Sequence, residues 1–333
     1  MRGPCAAIAG AAAGDADRGE SAGPAAVSAA GARSRLGAFC EQGRAGEALF
    51  CAGAGLALID VFLRRDPPCG GTLRQRLALQ SAAASARLLR LRADQGALRD
   101  LGFALAAAPA PAARLLSLWR GLAGRPPALD APRLNEAAAA LDLPLPDPET
   151  LAAALRECVR EEDPVSAAAK AAAVAIAAFP DGPAAEAEIF AFWVFDLVLA
   201  LRLRWERTGP LIATKILDPA VRLGEAGRRP KPAEPGWAKI ATAALALAAA
   251  ALDLAAELCR RSEILLAVAP KLRAKPASRV VNLLLAEDCV SAAEAARDAP
   301  MTDRAARRLF DRLLTLGAVR ELSGRPTFRI FGL

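Results

Sequence analysis

Alanine and leucine fill most of the apolar positions of this chain, and that choice narrows the folds open to it. Both residues are strong helix formers and weak strand formers. Aromatic residues supply only 5% of the sequence and tyrosine is absent. The apolar faces are therefore flat and narrow, which suits helices packed closely on one another. At 333 residues the chain exceeds a typical single core, so one large or two smaller domains are expected.

The chain contains no histidine. A Ser-His-Asp triad, a His-activated thiol, a His-ligated haem and the common His-containing zinc sites are excluded with it. The seven cysteines, at 5, 40, 51, 69, 158, 259 and 289, form no CxxC pair. They read as reduced thiols of a cytoplasmic protein, mostly buried as small hydrophobes. The longest uncharged runs, Leu101–Ala113 and Ile240–Leu252, are 13 residues each, short of the roughly 18 a membrane span requires. The opening "MRGPCAAIAGAAAG" lacks the Leu/Phe-rich segment of a signal peptide. No membrane association, no cofactor and no metal is expected.

Proline and glycine divide the chain. Residues 1–45 lack apolar periodicity and are expected to be disordered. A helical body is expected over 46–269, with helices over Gly46–Arg65, Thr72–Leu101, Ala112–Gly121, Arg133–Leu141, Glu149–Glu162, Pro164–Phe179, Pro183–Arg207 and Trp237–Val268. "DPPCGG" and "GEAGRRPKPAEPG" (Gly224–Gly236) are breaks. "PKLRAKP" (270–276) reads as a basic hinge into a final unit, 277–333.

That final unit differs from the rest. Ser278–Asp288 has Ser278 as N-cap and an apolar stripe; Ser291 with Glu294 forms a capping box; Thr302 caps a third helix that stops at Gly317. On the third helix Ala305, Ala306, Leu309, Phe310, Leu313 and Leu316 share one face. Arg304, Arg307, Arg308, Asp311, Arg312 and Thr315 occupy the other. Ala318–Leu322 and Thr327–Phe331 read as two strands joined by "SGRP", with Arg325 at the tip and Arg329 on the second strand. From Lys271 onward twelve Lys/Arg face seven acids, a net +5 out of the chain's +7. Basic charge is thus concentrated in the last fifth of the sequence, as binding to a polyanion requires.

The stretch "TDRAARRLFDRLLTLGAVRELSGRPTFRIFGL" resembles the winged-helix domains of bacterial regulators. With "LRQRLALQSAAASARLL" and "RSEILLAVAPKLRAKPASRVVNLLLAEDCV", the chain from about residue 45 also resembles an uncharacterised Ala-rich proteobacterial family of unknown function. The winged-helix resemblance implies a recognition helix in the major groove of double-stranded DNA. It places Arg304, Arg307, Arg308 and Arg312 at the groove and Arg325 on the wing, with Arg329 beside it. Asp311 lies within reach of Arg307 and Arg308, so the same charges suit a solvated helix or a wing that docks on protein.

Three apolar helices each carry one aspartate followed by a basic pair: Asp60 with Arg64 and Arg65, Asp196 with Arg202 and Arg204, Asp253 with Arg260 and Arg261. Convergence of the three would suit a divalent metal or a general base; salt bridges such as Asp60–Arg64 are the plainer expectation. "GAGLAL" (Gly53–Leu58) imitates a dinucleotide fingerprint but lacks the third glycine, and reads as close helix packing. The expectation is a mainly α protein: an Ala-rich helical bundle followed by a small winged-helix domain, non-enzymatic, binding DNA, with a homodimer through the body. A helical interaction scaffold is the competing reading.

Overall fold

The computed structural model describes residues 45–103, 110–221, 229–272, 276–325 and 328–333. The expected disordered segment, 1–45, lies outside these residues except for Ala45, which is helical, and part of the Gly224–Gly236 loop and the centre of the 270–276 hinge lie outside them as well. The body comprises α1 (Ala45–Arg64), α2 (Gly70–Leu88), α3 (Gln95–Gly102), α4 (Pro111–Gly124), α5 (Ala131–Ala140) and α6 (Pro148–Cys158). It continues through α7 (Pro164–Ala177), α8 (Ala184–Arg202), the single-turn α9 (Ile212–Lys215), α10 (Trp237–Ala248) and α11 (Ala251–Val268). The fold is mainly helical, and among the described residues a small sheet lies at the C-terminus.

Local chemistry starts these helices. Asp94, Asp130, Asp147 and Asp163 each accept a backbone N–H from the first turn, at Ala97, Arg133, Thr150 and Val165 with Ser166. Proline occupies the first turn of α5, α6 and α7, where its missing N–H costs nothing. The core centres on α8, buried without interruption from Ala187 to Ala200. Phe190 stacks on Trp193, and Phe192 stacks on Trp237, whose Nε1 donates to Ala169 O.

Small residues set the tightest crossing. A Cβ on Gly55 of α1 would lie 2.6 Å from the Ala249 Cβ, so "GAGLAL" is indeed a helix-packing segment. The joint at Ala249–Ala250 divides the single helix expected over Trp237–Val268, and α10 packs on α1 and α7 while α11 turns to α2. By length and composition alone Trp237–Lys271 could cross a membrane, against expectation, yet 44% of its most apolar window is buried inside the fold. On α1, Leu49, Phe50, Leu58 and Val61 face solvent.

The final unit comprises α12 (Ala277–Ala286), β1 (Val290–Ser291), α13 (Ala292–Asp298), α14 (Asp303–Thr315), β2 (Arg320–Glu321) and β3 (Ile330–Gly332). The sheet is antiparallel in the order β1-β3-β2, with Val290 opposite Phe331 and Glu321 opposite Phe331 on the other side. Ser291 and Thr302 cap α13 and α14 through the amides of Glu294 and Ala305, whereas Ser278, expected to cap α12, lies inside that helix, which begins at Ala277 after Pro276. Gly317 takes φ +67° after α14.

Further helix boundaries differ from expectation. Thr72 is not an N-cap: it sits inside the first turn of α2, and its hydroxyl donates to Leu285 O and Leu284 O at the C-terminus of α12. The helix expected over Thr72–Leu101 is two, broken where Arg90 adopts φ +55° and Leu91 N bonds to Ala86 O. That expected over Pro183–Arg207 ends at Arg202, where Arg204 adopts φ +55° and Trp205 N bonds to Ala200 O. Both are left-handed terminations without glycine.

Candidate nucleic-acid interface

The amphipathic pattern of α14 places its apolar stripe inward. Ala306, Leu309, Phe310 and Leu313 are buried, and the Phe310 ring stacks on Phe331 of β3 at 4.3 Å. Arg304, Arg307, Arg308, Asp311, Arg312 and Thr315 are exposed on the other side. Ala305, expected on the inner face, is exposed as well.

Ion pairs divide the six arginines singled out in the sequence. Arg307 pairs with Asp303 at 2.8 Å, one helical turn back. Arg329 pairs with Glu321 at 2.9 Å and Asp311 at 3.0 Å, and its guanidinium lies over the Phe331 ring. Arg325 reaches Asp100 of α3 at 2.8 Å. Arg304, Arg308 and Arg312 have no acidic partner among the described residues. They recur every four residues, so their Cα atoms climb one side of the helix at about 6 Å per step. Asp311 is held by Arg329 rather than by Arg307 or Arg308.

The unit is seated on the body by charge and by close backbone approach. Asp288 is fully buried between Arg76 of α2 and Arg99 of α3; the Arg99 contact is 2.7 Å. Burial alone would raise this carboxyl, but the Arg76 and Arg99 guanidinium groups hold it below the usual aspartate range. A Cβ on Gly71 would fall 2.8 Å from Ala286 Cα, and one on Gly332 would fall 2.5 Å from Asp288 O. At the β2–β3 turn Phe328 meets Phe103 edge-on at 5.6 Å, and Arg320 on β2 reaches Glu257 of α11 at 3.4 Å. The seat, centred on Asp288, carries no signal in the sequence: its partners lie about two hundred residues away.

The three aspartates do not meet. Asp60 pairs with Arg64 and accepts the Trp205 indole N–H at 2.7 Å. Asp196 accepts the backbone amides of Leu211 and Ile212, anchoring the start of α9. Among the described residues no group of three Cys, Asp or Glu side chains is arranged to hold a metal. The five described cysteines are free thiols. Cys69 and Cys259, remote in sequence, share a hydrogen bond that, together with burial, holds the Cys69 thiol well above its ordinary range.

Burial pushes the Asp196 carboxyl up to about 8, against the two amides that favour its charge. Between about pH 4 and pH 8 the folded chain keeps a proton that the unfolded chain has released. Stability from this group therefore falls as pH rises through that window. The stability advantage of the wild type over Asp196→Asn should shrink between about pH 5 and pH 8 in urea titrations. An advantage that stays constant over that range contradicts the assignment.

Fold and surface together define a helical body carrying a small, basic, three-helix and three-strand unit. The chain belongs to the family described as protein of unknown function (DUF1403), whose pattern matches residues 31–333. No curated protein matches it.

Proposed function

We propose that residues 277–333 form a winged helix that binds double-stranded DNA, with α14 as the recognition helix. The observation that carries this reading is the row of Arg304, Arg308 and Arg312, exposed and without acidic partners on a helix whose other face is pinned to a sheet. The element order helix, strand, helix, helix, strand, strand and the sheet order β1-β3-β2 support it.

The chemistry is sufficient for the task. The major groove of B-DNA admits an α-helix, and a guanidinium fork bonds either phosphate oxygens or the O6/N7 edge of guanine. Arg307, Arg325 and Arg329 are occupied by Asp303, Asp100 and the Glu321–Asp311 pair. In this reading they orient α14 and the β2–β3 turn, and the contact set narrows to Arg304, Arg308 and Arg312.

Salt dependence is the test. Each phosphate neutralised contributes a slope of about −0.9 to log K against log salt, so three contacts give about −3. Full-length protein titrated into labelled random duplex at several salt concentrations should show weak binding with that slope. Undetectable binding at low salt, or an affinity indifferent to salt, would exclude the DNA reading and favour a unit that docks on protein.

A further inference from the structure

Between α4, α5 and α8 lies a cavity of about 280 Å³, lined by Arg114, Leu118, Arg125, Arg133, Glu136 and Trp193 among others. It belongs to the body and is independent of the α14 face. Its rim is electrically closed: Arg125 makes a bidentate pair with Glu136 at 2.8 Å, and Arg114 makes one with Asp142. Its inner wall is not. Arg133 is 6% exposed, and only its Nη1 finds an acceptor, the carbonyl of Pro126. Its Nε and Nη2 are buried and meet no acceptor among the described residues. The Trp193 indole N–H, on a residue 2% exposed, is in the same condition, and the Arg133 guanidinium lies over the Trp193 ring at 5.9 Å.

Buried donors without acceptors are costly, and a buried guanidinium without a counter-charge more so. Burial, then the neighbouring Arg125, lowers the Arg133 pKa, the mark of a cation held where a cation is disfavoured. Asp130, whose charge also acts on Arg133, caps α5 through the Arg133 amide. The Nε and Nη2 of one guanidinium form a single edge whose spacing matches the two oxygens of a carboxylate. Leu118, Ala137 and Ala140 supply an apolar wall beside it.

We propose that this cavity binds a small organic monocarboxylate, its two oxygens on the Arg133 Nε–Nη2 edge and the Trp193 N–H, and its apolar body against Leu118, Ala137 and Ala140. Arg114 and Arg125 are each paired with an acid, Asp142 and Glu136, whereas the Arg133 guanidinium has no ion-pair partner of its own among the described residues, and one carboxylate would supply it. At about 30 Å³ per water-sized unit, the cavity holds roughly nine non-hydrogen atoms, too few for a nucleotide. The larger cleft, about 940 Å³ between α2 and the start of α3, has no buried unpartnered donor among its lining residues.

Sodium benzoate, with nine non-hydrogen atoms, is the probe. Thermal unfolding of the full chain should shift upward with benzoate along a single-site saturation curve. Sodium chloride at matched strength and the neutral analogue benzyl alcohol should leave it unmoved. Arg133→Met should abolish the benzoate shift. Trp193→Phe, which removes the indole N–H together with the five-membered part of the ring, should weaken half-saturation about tenfold. Two results overturn the proposal. One is a benzoate shift no greater than that of chloride or benzyl alcohol, which shows that the cavity does not take the carboxylate. The other is wild-type half-saturation in Trp193→Phe, which also decides the case where Arg133→Met fails to fold.

Discussion

Replacing Asp288 by alanine should destabilise the protein by about 3–5 kcal/mol, the cost of removing one partner from a buried ion pair. Asp288 is fully buried, and its two guanidinium partners, Arg76 and Arg99, are 14% and 12% exposed. Without the carboxylate both cations remain at a seat that water reaches poorly. The residue also lies where three elements converge: Thr72 bonds the end of α12, and Gly332 of β3 runs against the Asp288 carbonyl. The loss should appear as a lower urea midpoint at an unchanged slope. Because the folded carboxyl titrates below its unfolded value of 3.8, its stabilisation is complete above about pH 4 and is lost as pH falls further. Wild type and Asp288→Ala should therefore converge in acid. Equal midpoints at neutral pH would show that the seat is held by shape alone.

The second large effect is expected at Phe310. Its ring is fully buried and lies nearly parallel to Phe331, 7° apart at 4.3 Å. Alanine there removes the anchor that holds α14 on β3 and leaves a cavity, a change worth about 3–5 kcal/mol. The paired rings should couple by about 0.5–1.5 kcal/mol beyond their burial, so Phe310→Ala and Phe331→Ala should not add in a double-mutant cycle. Additive losses would mean that the stack contributes area only. A DNA-binding face that depends on this anchor should weaken in step with the stability of the unit.

Particular residues explain what was and was not legible in the sequence. The C-terminal helices were readable because Ser291, Thr302 and Gly317 perform there the roles their chemistry suggests. Strand β1 was not anticipated: two residues are too few for a period, and Val290–Ser291 pairs only because β3 returns forty residues later. The expected helices over Thr72–Leu101 and Pro183–Arg207 ran long for a shared reason. Both end at arginines in left-handed geometry, Arg90 and Arg204, where a reader of sequence looks for glycine. Thr72 looked like a cap and is one, for the carbonyl end of a helix two hundred residues away.

The candidate site divided in the same way. The outward face of α14 followed from 100° periodicity alone. Which of its arginines are engaged did not, since Asp100 and Glu321 reach Arg325 and Arg329 only in the folded chain. The Arg133–Trp193 cavity was illegible. "APRLNEAAAA" reads as an ordinary amphipathic helix, and the burial of its arginine comes from α8 and the turn at Pro126.

The proposed contact set makes a distinction that a general basic attraction does not. Substituting Arg304, Arg308 and Arg312 together by alanine removes three exposed charges that are bound to nothing else in the described structure. Substituting Arg307 removes one that Asp303 already neutralises. The decisive measurement is binding of full-length protein to random duplex across a salt series for these two variants and the wild type. The account predicts that the triple variant loses most of its affinity and flattens the slope from about −3 toward zero. Arg307→Ala should stay close to wild type. A triple variant that binds with wild-type affinity and slope would contradict the assignment of α14 as the DNA-contacting helix.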